Sequence, residues 1–362
     1  MTWQKQAHQL AADLTEQGVL DPGWRAAFEN IPRHLFVPTV FTHDGIPRAD
    51  ATAAVYRDES LTTQVAHVPG TGQVVPTSSS TRPSLMARML GMLDATPGHT
   101  VLEIGTGTGY NAALLCHRLG STAVTSVDID PTLVETARER LSSLGLTPVL
   151  VAGDGAEGVA DRAPFDRIIA TCAVSTVPAP WVAQLGENGR LVADIRTATF
   201  SALLTARRIN TGDLVGNFHA VPGHFMWLRP HVDDPFRSPG EGLASFDRTA
   251  IRRAPDIDPG LLDDPDFGFQ LALRVPEIAQ ALGLPDRGTR VLRTEDGSWV
   301  EISSDGTAQQ NGSRSIGDEI VAARNAWSAR NRPSRTRYGV TVTSTGTTTI
   351  WLDSADTPGE LL

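Results

Sequence analysis

The sequence predicts an α/β fold: a Rossmann-like, mostly parallel, doubly wound sheet, extended at its C-terminal end by an α+β region. Three observations carry this. Val101-Leu-Glu-Ile-Gly-Thr-Gly-Thr-Gly-Tyr110 reads as an apolar strand that breaks into a glycine turn and then a helix. Ser126-Val-Asp128 and Ala152-Gly-Asp-Gly155 each end an apolar run on an acidic tip. Strand-like runs at 100–104, 123–128, 147–152, 166–172 and 189–195 alternate with helical ones, the pattern of a parallel sheet.

The 362 residues exceed one typical domain, and three regions separate. Residues 1–98 form a helical and substrate-loop region. It opens with Trp3, Leu10 and Leu14 at helical spacing, ended by Gly18, and Asp21-Pro22 then gives an N-cap with proline at the first helical position. A Gly/Thr/Ser-rich loop is expected over about 68–81, followed by a helix over 84–93 started by Pro83. Residues 99–221 are the cofactor-binding domain, where Pro131 begins a helix and 201–208 with 213–220 predict a hairpin on the sheet edge. Residues 222–362 lose the alternation. Short strands at 289–293 and 299–303 surround a helix at 317–329, and 338–343 with 347–352 flank Ser344-Thr-Gly346, a hairpin signal. This last region is read as an accessory, peptide-recognition domain, with Trp227, Trp299, Trp327 and Trp351 in its core or interface.

Composition narrows the function classes. Forty per cent hydrophobic and 20% charged residues describe an ordinary globular protein. A net charge of −10, with Lys5 the only lysine, offers no basic stripe for nucleic acid. No apolar run approaches the roughly 18 residues of a membrane span, and the polar N-terminus lacks a signal-peptide core. Cys116 and Cys172 fall inside apolar elements and read as free buried thiols. A cytoplasmic protein is expected, in which the Asn311-Gly-Ser313 sequon has no meaning. His224 and His231 with Asp233 and Asp234 show no ligand spacing, so no metal is expected. Oligomeric state is not legible.

The glycine turn separates two kinds of nucleoside site. A dinucleotide fingerprint is G-x-G-x-x-G on a helix that faces a pyrophosphate. Here the run is E-x-G-x-G-x-G, and Glu103 would repel a pyrophosphate but suits an ammonium group, which S-adenosylmethionine (SAM) carries. SAM is therefore favoured over NAD, with Glu103, Gly105, Thr106 and Gly107 at the turn. Gly109 completes that turn. Asp128 can accept both ribose hydroxyls. Asp154, with Gly155, either receives the adenine amino group or caps the turn after it. Ser78-Ser-Ser-Thr-Arg-Pro83 reads in two ways: an N-cap within a linker, or a cradle of hydroxyls and N–H groups for an anion at a helix N-terminus. In the second reading Ser80 and Thr81 are catalytic and Ser79 touches substrate. Thr171 and Ala173, at the end of the fourth strand, would add backbone contacts.

Together these residues resemble the protein-L-isoaspartate O-methyltransferase family, over roughly residues 25–197. Ile31-Pro-Arg-His-Leu-Phe-Val-Pro38 looks like its N-terminal signature, Tyr56-Arg-Asp58 like the next patch, and Val101–Tyr110, Gly153-Asp-Gly155 and Pro164-Phe-Asp166 like its SAM motifs. Gln184-Leu185 with Gly189-Arg-Leu-Val192 looks like its closing strand. The resemblance implies a class I SAM-dependent carboxyl O-methyltransferase acting on an Asp or isoAsp carboxylate of a peptide. There are departures. The family's Ser-Gln-Pro is here Thr81-Arg82-Pro83, the loop at 66–76 looks longer, and ordinary repair members lack some 140 residues found here at the C-terminus. Arg337-Tyr-Gly-Val-Thr-Val342 with Ile350-Trp-Leu-Asp353 looks like longer actinobacterial members associated with lanthipeptides, lasso peptides and graspetides. That branch implies a ribosomally made, modified peptide as partner, with aspartimide as the end product; general isoaspartate repair and small-molecule methylation are the alternatives.

Overall fold

A computed structural model describes residues 2–67, 74–230, 249–284, 288–356 and 360–361. Helix α1 (Trp3–Glu16) buries Ala7, Leu10, Ala11 and Leu14, one stripe at helical spacing, and the chain leaves it through Gly18 at φ +68°. Helix α2 (Pro22–Asn30) is capped as expected, with the Asp21 carboxylate accepting from the Gly23 N–H at 2.8 Å. Two single turns, α3 (Arg33–Phe36) and α4 (Ala51–Ala54), lead into strands β1 (Leu61–His67) and β2 (Val74–Ser80), which pair antiparallel with Leu61 opposite Ser80.

That hairpin corrects the loop expected over 68–81. Serine and threonine suit a pleated, half-buried surface as well as a turn, and pairing with β1 gives 74–80 a ladder that composition alone does not reveal. Residues 68–73 lie outside the described residues. Helix α5 (Pro83–Leu93) follows and buries Met86, Met89, Leu90 and Leu93.

The central sheet begins with β3 (Val101–Ile104), α6 (Tyr110–Leu119), β4 (Val124–Asp128), α7 (Pro131–Ser143) and β5 (Val149–Ala152). It continues with β6 (Phe165–Val174), α8 (Ala179–Gln184) and β7 (Leu185–Arg196), then turns antiparallel through β8 (Ser201–Arg208) and β9 (Leu214–Phe218). Strands β7, β6, β3, β4 and β5 are neighbours in that order and all parallel. The order reverses between β3 and β6, so the crevice beyond the C-terminal ends of those two strands is a topological switch point.

The C-terminal region contains β10 (Arg252–Arg253), α9 (Pro265–Arg274), β11 (Ile278–Leu284), β12 (Thr289–Thr294), β13 (Trp299–Ile302), β14 (Ala308–Asn311) and α10 (Ile316–Ala329). Strands β10 to β14 make an antiparallel sheet under α9 and α10, where Phe267 meets Trp327 at 5.6 Å. Then β15 (Tyr338–Val342), β16 (Thr348–Leu352) and β17 (Glu360–Leu361) rejoin the central sheet, with β15 antiparallel to β9. The β8–β9 hairpin is thus interior rather than at the edge, and the sheet crosses the boundary expected at residue 222. An unpaired β9 would leave a row of open backbone groups, and β15 covers them. Phe200, Phe218, Phe269 and Tyr338 knit α9 to this junction through ring contacts of 4.9–6.5 Å. Trp299, Trp327 and Trp351 are buried as expected. Among the described residues no helix is long and apolar enough to cross a membrane.

Candidate active site

A cavity of about 370 Å³ opens at the switch point, floored by the glycine turn and walled by residues 75–81 on one side and 225–229 on another. The turn is set by backbone bonds: the N–H groups of Gly105 and Thr106 donate to the Val127 carbonyl at 2.8 and 3.2 Å. Gly105 has φ +96°, and a Cβ there would lie 2.8 Å from Thr171 Oγ1. Only glycine suits that position. The Thr171 hydroxyl donates to the carbonyls of Ile104 (3.1 Å) and Gly105 (2.8 Å). Thr171 therefore lines the cavity, yet its hydroxyl braces the turn.

Glu103 is fully buried at the cavity floor. Its oxygens accept from Asn111 Nδ2 (2.7 Å) and Ser126 Oγ (2.5 Å), and Thr106 Oγ1 lies 2.6 Å from the same serine oxygen. Burial pushes the Glu103 carboxyl up to about 7, against those two hydrogen bonds. Its first role is to tie the glycine turn to β4 and α6. Asp128 Oδ2 accepts from the Gly107 N–H at 2.8 Å and Oδ1 from the Asp130 N–H at 3.1 Å. Burial raises its pKa, opposed by those two donors and by Arg229. A carboxylate offers about four lone-pair sites, so sites beyond those two remain to accept a pair of hydroxyls. The donor set fits a nucleoside: an acid at the second strand's tip, and a glycine turn that a ligand can approach closely. Gly155 also lines the cavity, and a Cβ on it would meet Ile104 Cγ2 at 2.7 Å.

Two of the expected residues already hold bonds of their own, and one expectation is corrected. Asp154 Oδ1 accepts from the Ala156 N–H at 2.8 Å and so caps the turn, while among the described residues Oδ2 accepts nothing. The Ala173 N–H donates to the Met226 carbonyl (2.8 Å) and its carbonyl accepts from Leu228 (2.9 Å), which leaves one lone pair of that oxygen. The hydroxyls at 78–81 belong to a strand and the residue after it, and are neither N-cap nor helix N-terminus. The Ser84 N–H in the first turn of α5 donates to Asp58 at 2.8 Å instead. The hydroxyl cluster itself is nonetheless in place: Ser78, Ser79, Ser80 and Thr81 all line the cavity, and a Cβ on Gly107 would stand 3.6 Å from Ser78 Oγ. The hydroxyl wall and the glycine turn thus face each other.

The segment 225–229 is a wall the sequence did not announce. Asp194, buried near the end of β7, holds it: Oδ1 accepts from Ser201 Oγ (2.7 Å) and Oδ2 from the Phe225 N–H (3.1 Å). Ser201 Oγ in turn accepts from the Gly223 and His224 N–H groups at 3.1 and 2.9 Å. Arg196 donates to the Phe225 carbonyl at 2.6 Å and stacks 5.3 Å from the Trp227 ring centroid, and Trp227 both packs against the core and lines the cavity. An acid inside the apolar run Leu191–Ile195, and an arginine directly after it, were the legible signal. His231, Asp233 and Asp234 lie outside the described residues.

The fold and this cavity define a class I SAM-dependent methyltransferase. A sequence profile of the protein-L-isoaspartate(D-aspartate) O-methyltransferase (PCMT) family matches residues 5–221. Similar proteins include protein-L-isoaspartate O-methyltransferase 2 of Polaromonas sp. (strain JS666 / ATCC BAA-500), 35% identical over 59% of this chain and 92% of that protein. Another is the protein-L-isoaspartate O-methyltransferase of Gloeobacter violaceus, 35% identical over 56% of this chain and 88% of that one. A solved protein-L-isoaspartate O-methyltransferase structure shares the fold at a TM-score of 0.58 with 24% identity, covering 96% of this chain and 100% of that chain. The chain belongs to the PCMT family, and it is a SAM-dependent O-methyltransferase. Because that fold match runs past residue 221, the C-terminal region does not by itself set this chain apart.

Proposed function

We propose that this enzyme methylates the free carboxylate of an isoaspartyl residue in a peptide or protein, as general repair members do. The observation that carries the reading is the hydroxyl wall opposite the glycine turn, in a cavity whose lining, among the described residues, contains neither histidine nor lysine. An alcohol or amine acceptor calls for a base near the methyl. The acids present, Glu103 and Asp128, are already engaged by two donors each. A carboxylate is ionised at neutral pH and needs no base. The names of the relatives support the same acceptor.

SAM supplies a sulfonium methyl to which a carboxylate oxygen can bond as the carbon–sulfur bond breaks. The chain's share of the work is placement. Asp128 and the turn at 105–107 would hold the nucleoside end, while Ser80 and its neighbours orient the acceptor. Alignment of two reactants can supply roughly 7–11 kcal/mol of barrier reduction. Phe225, Trp227 and Leu228 keep water from one side.

Mass spectrometry after incubation with SAM and a matched pair of short peptides, one isoAsp and one Asp, tests the reading. A methyl gain, or the dehydrated succinimide that follows, on isoAsp alone is expected. Methylation only of an aspartate in a ribosomally made modified peptide would replace it with the narrower role suggested by residues 337–353.

A further inference from the structure

The side chain of Arg33 is wholly buried. Its guanidinium donates to five oxygens, none of them charged. Nη1 reaches the carbonyls of Val55 (2.7 Å) and Arg57 (3.3 Å); Nη2 reaches those of Thr81 (3.0 Å) and Glu59 (3.4 Å). The fifth is Ser80 Oγ, met by Nη2 at 3.1 Å and Nε at 3.4 Å. Among the described residues no carboxylate comes within ion-pair distance of it, and Asp58 and Glu59 act on it only from further away. A buried cation without a counter-ion costs several kcal/mol. This one stands directly behind the cavity, since Ser80 and Thr81 are both wall residues.

The hydrogen-bond arithmetic at Ser80 gives the cation a use. A hydroxyl has one proton to donate and two lone pairs to accept with. Arg33 engages the accepting side from behind, and among the described residues the Ser80 hydroxyl donates to no protein oxygen. Its proton is left for whatever occupies the cavity, and that occupant must be an acceptor.

We propose that Arg33 is the positioning residue of the methyl acceptor: it orients the Ser80 O–H into the cavity and provides the counter-charge for the carboxylate that the hydroxyl receives. This rests on the carboxylate reading of the preceding section and adds to it the element that selects an anion over its neutral isostere. Arg33 touches no substrate; it acts through Ser80.

The test is binding rather than rate alone. The wild-type enzyme, saturated with S-adenosylhomocysteine, is titrated calorimetrically with an isoaspartyl peptide and with the same peptide carrying a carboxamide at the acceptor position. Loss of a charge-assisted hydrogen bond predicts at least about a tenfold preference for the carboxylate. In Ser80→Ala that preference shrinks while the affinity for SAM stays within about twofold. Arg33→Gln lowers kcat/KM in the wild type but adds little in the Ser80→Ala background, whereas a merely structural role would add its loss in both. Arg33→Lys keeps the charge without the two-pronged grip on the hydroxyl and recovers part of the preference. Should Arg33→Gln fail to fold, the acid–amide comparison in wild type and Ser80→Ala still decides. Equal affinity for acid and amide in an enzyme that turns over the isoaspartyl peptide would overturn the role of Arg33 alone. So would a Ser80→Ala enzyme that loses SAM binding in proportion, since the carboxylate served would then be the cofactor's. If the wild type leaves the isoaspartyl peptide unmethylated, the functional reading fails first, and the acceptor assigned to Arg33 with it.

Discussion

Replacing Asp128 with asparagine gives the sharpest test of the cofactor assignment. In the wild type, Asp128 accepts from Gly107 N–H at 2.8 Å and Asp130 N–H at 3.1 Å, one on each oxygen. Asparagine keeps the shape and one accepting oxygen. It loses the charge, and its amide nitrogen cannot accept either from the backbone or from a ribose hydroxyl. A hydrogen bond to a charged group is worth about 1.5–3 kcal/mol, which at roughly 1.4 kcal/mol per decade is a tenfold to about 150-fold loss of SAM affinity. Alanine should do worse for a second reason. It leaves both N–H groups unpaired in a buried turn, at about 1–3 kcal/mol each, so its unfolding temperature falls as well. Titration calorimetry with SAM and with S-adenosylhomocysteine reads the first effect, and thermal denaturation the second. An Asp128→Asn enzyme that binds both ligands within twofold of wild type, with unchanged unfolding, refutes the assignment.

Other outcomes follow from the same geometry. Gly105→Ala places a Cβ 2.8 Å from Thr171 Oγ1 at φ +96°, so it should cost about 1–3 kcal/mol of stability and weaken SAM, read by denaturation and calorimetry. For Glu103 the folded pKa, about 7, lies above the ordinary 4.5, so the folded state holds a proton that the unfolded state has released. Wild-type stability should therefore fall as pH rises from about 4.5 to about 7 and level off beyond. Glu103→Gln lacks that term, and its melting-temperature advantage should widen across the window; a constant difference would count against the protonated acid. Asp194→Ala leaves the Ser201 O–H without its acceptor and the Phe225 N–H without its partner. It should cost about 1–3 kcal/mol and speed hydrogen exchange at 223–228, while exchange in α6 stays slow.

Where periodicity and special residues coincide, the structure was legible. The glycine turn, the acidic tip at Asp128 and the proline starts at Pro22, Pro83 and Pro131 each express a local rule, and each holds. Residues 74–80 misled because Ser and Thr obey two rules at once, and the partner strand at 61–67 decides between them. Asp154 likewise obeys two rules, since an acid after a strand can cap its own turn with one oxygen and keep the other open. The rest of the site depends on contacts distant in sequence. Nothing near Ser80 indicates that a guanidinium from residue 33 sits behind it, or that 225–229 form a wall through Asp194. The pairing of 338–342 with 214–218 is of the same kind: each strand is plain locally, and their neighbourhood is not.

That pairing has a consequence for how the chain is made. Strand 214–218 finds its neighbour only after the whole stretch from 219 to 337 has been synthesised. Closing so long a connection costs little at equilibrium, since each doubling of its length adds only about 0.6 kcal/mol. It does delay the event, because distant pairings form slowly. Until then a nascent chain that already carries the glycine turn and the hydroxyl wall presents the open backbone of 214–218 to any passing strand. A fragment ended at residue 221 would keep that edge permanently and also lack Phe225 to Arg229. Such a fragment should self-associate, with one wall of the cavity missing.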